Sequence, residues 1–342
     1  MKPNVVLFDT DARESRDFLE GLTAETRAEW RALYCRANRG RRHPLSNAAR
    51  YIKYFVFPLG VFLLRRSYGT VVGWQAYYGL LFAFYCQVFR VRKVNRVLIK
   101  NFIYKPKKGA VGAVYARFMR YVATGAYADV FICASREHSA RCADTFGGDP
   151  GRFVPLLFGV NDYARQLADR PPPTDDFILS LGRSNRDWPF LIDCLKETDL
   201  RAVIICDSQL TDGLPPNIRH LNRVWGKAAR EYIRNCRMLI LPILDGTVAS
   251  GDTVLLMAMS FGKPVIVTRP SCLASDYVID GETGLTVEKD KAAMLAAIRR
   301  LDTDEALRAR LSRGARRQYE AEHSLYRYGK RIGRVLASRG YV

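Results

Sequence analysis

Residues 248–268 read VASGDTVLLMAMSFGKPVIVT, and the order of residue types in this stretch decides the fold. A small polar turn, Ser250 to Thr253, leads into an apolar segment that has the length of a helix. A Gly-Lys-Pro break follows, and the run from Pro264 to Thr268 has the β-branched composition of a buried strand. A glycine-containing turn before a buried helix, between two strands, is typical of the ligand-binding edge of a parallel α/β sheet.

The same alternation of strand-like and helix-like segments extends along the chain. In the first half we predict strands at 4–10, 70–74, 96–102, 129–135 and 152–158, with helices at 76–91 and 111–123. In the second half we predict strands at 177–182, 201–207, 237–243, 264–268 and 284–288, with helices at 226–236 and 290–301 and a helical tail from Glu305. Strands that alternate with helices predict parallel sheets covered on both faces.

The two arrays are separated by RQLADRPPPTDD, residues 165–176, and three consecutive prolines cannot lie inside a helix or a central strand. The predicted fold class is therefore α/β, with two doubly wound Rossmann-like domains that face each other across a cleft. We expect an N-terminal domain at 1–164, a linker at 165–176, and a C-terminal domain at 177–342 that ends in helices. A chain of 342 residues is long enough for two such domains.

The charge of the chain is high and uneven. The net charge is +20, and residues 1–170 carry 28 Lys or Arg against 13 Asp or Glu, which leaves +15 in that half. No acidic residue occurs between Glu29 and Asp129, whereas 19 basic residues do. A surface of one sign over such a length predicts an anionic partner for the first domain.

Cysteine usage and hydropathy indicate the compartment. The eight cysteines form no CxxC pair and the four histidines show no ligand spacing, so we predict reduced, buried thiols and no metal site. The start, MKPNVVLFDTD, becomes acidic where a signal peptide would need an apolar core. The longest uncharged apolar run of the basic region, Tyr54 to Leu64, is shorter than the ~20 residues of a membrane-spanning helix and contains Pro58. We therefore expect a cytoplasmic protein.

Two predicted strand ends carry the residue types of a phosphate site. A helix that starts at Gly251 to Thr253 offers free N–H groups and the positive end of its dipole to an anion. The alternative is an ordinary helix start, with Asp252 or Thr253 as the capping residue. The segment SLGRSNRDW, residues 180–188, places Gly182, Arg183 and Arg186 at another strand end of the same domain. Because arginine holds phosphate oxygens at two points, we predict a diphosphate between the two loops.

Three stretches carry a resemblance to a known family: LSLGRSNRDWPFLIDCL, PILDGTVASGDTVLLMAMSFGKPVIVT and DYVIDGETGLTVE. In this order and spacing they resemble the C-terminal half of nucleotide-sugar glycosyltransferases of the GT-B fold, of the family-4 type, over roughly residues 177–300. In the first half, VVGWQAYYGLLFAF and NFIYKPKKG are similar to enzymes of bacterial envelope and exopolysaccharide synthesis. The resemblance implies transfer of a hexosyl group from a nucleotide-diphospho-sugar to a saccharide acceptor.

The resemblance also implies site residues. The donor diphosphate would be bound by Gly182, Arg183 and the turn from Ser250 through Gly251 and Asp252 to Thr253, with Arg186 beside them. The nucleobase would pack near Val224 to Gly226, and thus on Trp225, while the acceptor would lie on the N-terminal domain. We expect a UDP-sugar as the donor, and neither a cofactor nor a metal ion.

One departure from the family pattern concerns the mechanism. Retaining members of the superfamily carry two glutamates at positions that align with Ala249 and Met257, and both carboxylates are missing here. We therefore expect inversion of the anomeric centre, which needs a general base to take the proton of the acceptor hydroxyl. The acidic gap leaves Asp9 and Asp11 as candidates for this base; Asp11 can equally cap the following helix, and His43 is a weaker candidate.

The basic region suggests where the acceptor lies. Lys105, Lys107 and Lys108 follow a predicted strand and can contact an acceptor pyrophosphate, although a solvated lysine turn is the ordinary alternative. Residues 47–66, NAARYIKYFVFPLGVFLLRR, have basic residues around an apolar core, as in a helix that lies in a bilayer interface. A buried core helix is the alternative. We expect a lipid-linked or oligosaccharide acceptor and a peripheral location on an anionic membrane, at the inner face of the cell membrane.

Three other functions fit parts of the pattern. A nucleotide-sugar epimerase shares the GT-B fold but needs no basic, lipid-facing domain. A non-catalytic GT-B subunit is compatible with the missing glutamates. A nucleic-acid-binding protein fits the high charge, but the basic residues are interleaved with predicted strands and no nucleic-acid-binding motif is present, so we expect no nucleic-acid partner.

Overall fold

The computed structural model describes residues 2–37, 44–171, 174, 176–210, 213–248 and 250–342, and for residues 44–49 the backbone only. The chain forms two compact units. The first comprises residues 1–156 together with 328–342, and the second comprises residues 157–327. Each unit is built on a six-stranded sheet in which all described strand pairs are parallel.

In the sheet of the first unit, the second strand of the chain lies on one side of the first strand, and the later strands follow in chain order on the other side. Its strands are β1 (Asn4–Phe8), β2 (Trp30–Tyr34), β3 (Thr70–Gly73), β4 (Arg96–Ile99), β5 (Val130–Cys133) and β6 (Phe153–Pro155). They lie in the order β2-β1-β3-β4-β5-β6. The connecting helices are α1 (Ala12–Thr26), α2 (Pro44–Leu63), α3 (Ala76–Val88), α4 (Gly109–Thr124) and α5 (Arg136–Phe146). Strands β1, β3 and β5 are buried at every position because helices cover both faces of a parallel sheet.

The second unit repeats this construction. Its strands are β7 (Ile178–Leu181), β8 (Ala202–Ile205), β9 (Ile218–Leu221), β10 (Met238–Leu241), β11 (Val265–Arg269) and β12 (Leu285–Glu288), in the order β12-β11-β10-β7-β8-β9. The helices are α6 (Tyr163–Gln166), α7 (Trp188–Leu195), α8 (Lys227–Asn235), α9 (Asp252–Ser260), α10 (Cys272–Tyr277), α11 (Lys291–Thr303) and α12 (Glu305–Gln318). The last helix, α13 (Leu325–Ala337), begins in this unit and continues into the first. The prediction of two doubly wound α/β units is confirmed.

The sequence analysis missed two strands, β2 and β9. Both lie at an edge of their sheet. An edge strand pairs on one side only, and its residues alternate between the core and solvent, so it needs no continuous apolar run. The residues of β2 are all half-buried or exposed, and only Ile218 of β9 is buried.

The division of the chain differs from the predicted one at both boundaries. The first unit ends at residue 156, before the predicted linker, and residues 328–342 belong to it although 177–342 was predicted as one domain. The reason is the apolar face of α13, where every fourth residue is fully buried: Tyr328, Ile332 and Leu336. Gly329 permits the close packing, since a Cβ there would lie 2.2 Å from the carbonyl oxygen of Phe18. None of the described helices has both the length and the hydropathy that a membrane crossing needs.

Candidate active site

Two loops of the second unit meet because the strands that precede them are neighbours. Strand β7 pairs with β10, so the loop after β7 and the loop that leads from β10 to α9 leave the same edge of the sheet. Asn185 joins them: its side-chain nitrogen donates to the carbonyl oxygen of Asp245 at 2.9 Å and to the Ser250 hydroxyl at 2.8 Å. Its side-chain oxygen accepts the Asp245 N–H at 2.8 Å.

Asn185 was missed by the sequence analysis. Its φ is +56°, in the left-handed region, which asparagine tolerates better than most residues. A Ser-Asn pair in the turn that follows the strand, two residues after Gly182, was the available signal.

These loops and the N-terminus of α8 enclose a cavity of about 440 Å³. All eight residues predicted for the donor line it: Gly182, Arg183, Arg186, Trp225, Ser250, Gly251, Asp252 and Thr253. Residues that the sequence analysis did not single out complete the wall, among them Tyr163 and Arg230, whose guanidinium lies 4.7 Å from the Tyr163 ring centre. The pattern predicted the loops, and the folded chain brings them together in one pocket.

Arg186 is the buried cation of this pocket, with 7% of its surface exposed. Among the described residues its guanidinium donates only to main-chain carbonyls, those of Ser184 and Asn185 at 3.3 Å each, and its Nε has no partner there. Burial lowers the pKa of Arg186 to about 10, against the opposing charge of Asp252. The group therefore stays protonated at neutral pH, and it presents a positive charge that burial has stripped of water.

Two glycines make room for this guanidinium. A Cβ on Gly182 would lie 2.9 Å from Arg186 Nε, and one on Gly251 would lie 3.0 Å from its Nη2. Gly251 also has φ of +96°, a conformation that residues with a Cβ rarely adopt. Gly182 after β7 and Gly251 at the start of α9 thus leave space for the arginine side chain between the two loops.

The N-terminus of α9 also faces the pocket. Gly251 is its N-cap and no side chain caps the helix there, so neither Asp252 nor Thr253 is the capping residue. The Asp252 carboxylate instead accepts the N–H of Thr253 at 2.7 Å. An anion at this helix end meets the dipole of a nine-residue helix, with one N–H of the first turn already engaged.

Trp225 and Arg183 form the outer wall. The Arg183 guanidinium lies 3.9 Å from the centre of the Trp225 ring, a cation–π contact in which each group orients the other. Arg183 is exposed and Trp225 half-buried, so both can contact a ligand in the cavity. An aromatic ring next to an arginine provides a stacking surface for a base and a positive charge for a phosphate.

Met257 lines the same cavity and lies about one turn of α9 after Thr253. This is one of the positions where the retaining relatives carry a glutamate, so an apolar side chain stands there instead of a carboxylate. The other such position, Ala249, lies outside the described residues, as does His43.

The predicted bases Asp9 and Asp11 lie in the first unit, at the carboxyl end of β1. The Asp9 carboxylate accepts the N–H of Ala37 at 2.9 Å. The Tyr78 hydroxyl, which donates to the carbonyl oxygen of Cys35 at 2.9 Å, lies 3.4 Å from the same carboxylate. Burial, with a contribution from the negative charge of Asp9, raises the pKa of Tyr78 far above its usual value, so the phenol stays a donor. The described contacts hold Asp9 in one orientation.

Asp11 is the N-cap of α1, as the alternative interpretation anticipated. Its carboxylate accepts the N–H of Glu14 at 3.0 Å and lies 3.4 Å from the Arg36 guanidinium. About a fifth of its side chain, 21%, is exposed. The cap uses Oδ1, and the second oxygen, Oδ2, is the atom that faces Arg36.

The three lysines of the predicted acceptor loop are exposed, in the coil between β4 and α4. Lys107 lies over the ring of Tyr115, with Nζ 4.5 Å from the ring centre, and Lys108 is the N-cap residue of α4. Lys105 lies two residues before Lys107 in the same coil. The structure thus places three positive charges in one surface loop of the first unit.

Comparison with known proteins agrees with this architecture. Residues 185–304 match the model of the family described as glycosyl transferases group 1. No curated protein sequence matches significantly. The whole chain resembles solved GT-B structures. Anabaena HepE in complex with UDP and glucose has 13% sequence identity and a TM-score of 0.67, and the match covers 99% of this chain and 100% of that one. The sucrose-phosphate synthase of Thermosynechococcus elongatus has 15% identity and a TM-score of 0.69, and the match covers 99% of each chain. WaaG, a glycosyltransferase involved in lipopolysaccharide biosynthesis, is also similar, with 14% identity, a TM-score of 0.58, and a match that covers 97% of this chain and 99% of that one.

The class of protein follows from the fold and the matched segment. The chain is a GT-B protein of two Rossmann-like units, and its second unit carries a glycosyltransferase sequence segment that includes Arg186, Trp225 and the start of α9. The resemblance predicted from the motifs is confirmed. At 13–15% identity the solved structures establish the fold, whereas the substrates require the argument from the site.

The packing of Gly251 against Arg186 gives the first testable prediction. Gly251→Ala must place a Cβ at φ +96° and displace Arg186, whereas Gly281→Ala, at φ +73°, meets no atom within 4 Å. We expect Gly281→Ala to lower the free energy of unfolding by about 1–2 kcal/mol through backbone strain alone. Gly251→Ala should cost at least ~1 kcal/mol more because of the added overlap. Equal losses in urea unfolding of the two variants would contradict the described packing.

Proposed function

We propose that the chain is a glycosyltransferase that moves a hexosyl group from a nucleotide-diphospho-sugar to a saccharide acceptor. The observation that carries the proposal is Arg186, a buried cation that faces the cavity between Gly182 and Gly251. A diphosphate is a ligand that offsets this buried charge, because it brings negative oxygens to the guanidinium and to the N-terminus of α9.

In this proposal the protein supplies the positive charge for the leaving group. When the bond between the anomeric carbon and the diphosphate breaks, negative charge grows on the diphosphate oxygens. Arg186 is already desolvated and fixed in place, so it stabilises that charge without reorganisation. Arg183 adds a second, exposed guanidinium. We infer that these groups suffice, and that the reaction needs neither a metal ion nor a cofactor.

The donor that fits is a UDP-sugar. HepE was solved with UDP and with UDP-glucose, and a UDP-forming trehalose-phosphate synthase has the same fold (12% identity, TM-score 0.66). In this chain Trp225 provides an aromatic face for a base beside Arg183. The Ser250 and Thr253 hydroxyls at the rim of the cavity offer hydrogen bonds to ribose or sugar.

We further propose that transfer inverts the anomeric centre. Met257 contributes no carboxylate to the cavity at a position where retaining relatives hold one. Inversion requires a base that removes the proton from the attacking hydroxyl, and we assign this role to Asp9 or Asp11 of the first unit. Both sit at the end of a strand, and hydrogen bonds from Ala37 and Glu14 fix their carboxylates.

The surface of the first unit supports a membrane-bound acceptor. On α2 five large apolar side chains are more than half exposed and recur on one face: Tyr51, Ile52, Phe55, Val56 and Leu63. The opposite face of α2 packs on α3, for example through Tyr54 on Tyr77 at 6.1 Å between ring centres. One face of α2 is therefore part of the core, and its outer face is apolar and open.

A second exposed apolar strip lies on α4, where Val111 and Val114 are 75% and 71% exposed. Helix α3 joins the two helices, since Phe84 packs on Phe118 of α4 at 5.3 Å. Basic residues flank the apolar face of α2 at both ends: Arg50, Lys53, Arg65 and Arg66. Apolar side chains amid cations, without an acidic residue between positions 30 and 128, match an anionic bilayer surface.

We therefore propose a peripheral protein at the inner face of the cell membrane that acts in envelope or exopolysaccharide synthesis. Its acceptor is a lipid-linked diphosphate saccharide, which Lys105, Lys107 and Lys108 contact through the pyrophosphate. An oligosaccharide in solution is the alternative acceptor. A nucleotide-sugar epimerase would convert the donor without any acceptor, and a non-catalytic subunit would bind the donor without turnover. Product analysis with donor alone therefore identifies an epimerase, and the same analysis with donor and acceptor separates a transferase from a non-catalytic subunit.

The donor site gives a binding prediction. Arg183→Ala should weaken UDP binding by about 1.5–3 kcal/mol, because it removes a charge-assisted hydrogen bond to the diphosphate. Thr253→Val should cost less, since it removes a neutral one. Arg201→Ala is the matched control, because this exposed arginine of the same unit pairs with Asp176 outside the cavity. Calorimetry with UDP that finds wild-type affinity in Arg183→Ala would place the donor elsewhere.

The proposed base gives a prediction about rate. Asn at position 11 still caps α1, and Asn at position 9 still offers an oxygen to Ala37, so both variants preserve the fold. One of Asp9→Asn and Asp11→Asn should lose turnover by ~10²–10⁴ at unchanged UDP affinity.

Stereochemistry provides the independent check. An α-configured donor should yield a β-linked product by NMR. An α-linked product contradicts inversion, whatever the two variants show, and normal turnover in both variants contradicts the assignment of the base.

The membrane surface gives a prediction with a closely matched control. Val56 on α2 and Leu244 in the second unit are both 57% exposed. Val56→Glu should reduce co-sedimentation with phosphatidylglycerol vesicles about tenfold, since an apolar side chain of this size contributes roughly 1.5 kcal/mol on burial. Leu244→Glu should have no effect.

The same assay tests the charge. Binding of the wild-type protein should fall steeply between low and high salt, because screening weakens attraction between the basic unit and anionic lipid. Equal loss in both glutamate variants, or no binding at low salt, would contradict a membrane-facing α2.

A further inference from the structure

Three soft ligands that have no assigned role in sugar transfer meet inside the first unit. Cys133 ends β5, and His138 and Cys142 follow on α5, one helical turn apart. All three are buried, with 0%, 5% and 2% of their surfaces exposed. One ligand atom of each lies within 4.8 Å of the other two. The sequence analysis found no metal-ligand spacing, because a ligand from the strand and two from the helix meet only after β5 packs on α5.

The geometry of the cluster is close to that of a metal site. His138 Nε2 lies 3.4 Å from Cys142 Sγ. In a tetrahedral zinc site, bond lengths of about 2.3 Å to sulfur and about 2.0 Å to nitrogen place ligand atoms roughly 3.5–3.8 Å apart. Side-chain shifts of about 1 Å or less therefore convert the described arrangement into a coordination shell.

Neighbouring groups orient the imidazole. His138 Nε2 accepts the N–H of Tyr104 at 3.3 Å, so this nitrogen is the unprotonated one of the ring, and a metal ion bound there would replace that hydrogen bond. The N–H of His138 itself is held by the hydroxyl of Ser135, the N-cap of α5, at 3.1 Å.

The surroundings are apolar, which restricts the charge that a bound ion can carry. Tyr104 packs on Phe146 at 4.9 Å, and Phe131 stacks on Phe153 at 5.0 Å, both beside the cluster. Two thiolates and a neutral imidazole balance a divalent cation, so the complex has no net charge. A hard cation such as Mg²⁺ prefers oxygen ligands, whereas sulfur and imidazole select zinc-like ions.

We propose that Cys133, His138 and Cys142 form a binding site for one thiophilic divalent cation, with Zn²⁺ as the natural occupant. Binding replaces two thiol protons, which pass to solvent, and forms two metal–sulfur bonds and one metal–nitrogen bond. No electron is transferred. A water molecule retained from the hydrated ion completes the shell. The coil of residues 103–108, which contacts the cluster through Tyr104, is exposed or half-exposed. The site is independent of the proposed sugar transfer.

Cobalt provides a spectroscopic test on the full-length protein, because Co²⁺ occupies zinc sites and its thiolate bonds absorb in the near ultraviolet. The wild-type protein, reduced and stripped of metal, should develop this absorption with one equivalent of Co²⁺, and Zn²⁺ should abolish it. Cys133→Ser and Cys142→Ser should each lose the band, and His138→Ala should bind at least ~10-fold more weakly. Cys194→Ser, which removes a buried thiol of the second unit, should behave as wild type.

A measurement on the wild-type chain covers the case in which a variant fails to fold. Alkylation in mild denaturant, followed by mass spectrometry, should show that Zn²⁺ protects Cys133 and Cys142 together, while the other six cysteines react equally with and without the ion. Absence of the cobalt–thiolate band in the wild-type protein would overturn the proposal. So would a band that survives in both serine variants, or zinc protection that falls on other cysteines.

Discussion

The second unit is organised around a positive charge that has been taken out of water. Transfer of a guanidinium into a protein interior is unfavourable unless polar groups or a counter-ion replace its hydration. At Arg186 the described replacements are two carbonyl oxygens at 3.3 Å, which are long contacts for a charged donor. The two glycines beside it, the dipole of α9 and the cavity in front of it suit this requirement, because an anion in the cavity would replace the lost hydration.

Asn185 shows how the backbone maintains that geometry. Its three hydrogen bonds tie the loop after β7 to the loop before α9, so the two walls of the cavity cannot move independently. Preorganisation of this kind matters for transfer of a sugar from a diphosphate, since the stabilising charges must be in place before the bond breaks. The apolar Met257 on the inner wall means that the sugar hydroxyls would find their partners elsewhere, among them the hydroxyls of Ser250 and Thr253.

The distinctive feature of the first unit is an exposed apolar surface on its helices. Its helices α2, α3 and α4 are held together by aromatic contacts, and this leaves large apolar side chains on the outer side of α2 and α4. Soluble proteins rarely expose so much apolar surface in one place without a partner. The absence of acidic residues from positions 30–128 gives the same region a uniform positive charge. Together these features match the interface of an anionic bilayer, where both contributions act at once.

The amino-acid sequence by itself determined the class of fold, because fully buried parallel strands such as β3 and β10 must be continuous apolar runs. It also indicated the two loops that line the cavity, since glycine, arginine and hydroxyl residues recur in both of them. It missed the edge strands β2 and β9, which alternate between core and solvent, and it assigned the C-terminal helix to the wrong unit.

Only the tertiary structure decided which residues meet across the chain. Asn185 and Ser250 lie 65 positions apart in the sequence, and their contact exists because β7 and β10 are adjacent. The environment of Arg186, the two faces of α2 and the cluster of Cys133, His138 and Cys142 depend in the same way on packing between elements. Periodicity and composition report what each segment does alone, whereas burial and proximity are properties of the whole fold.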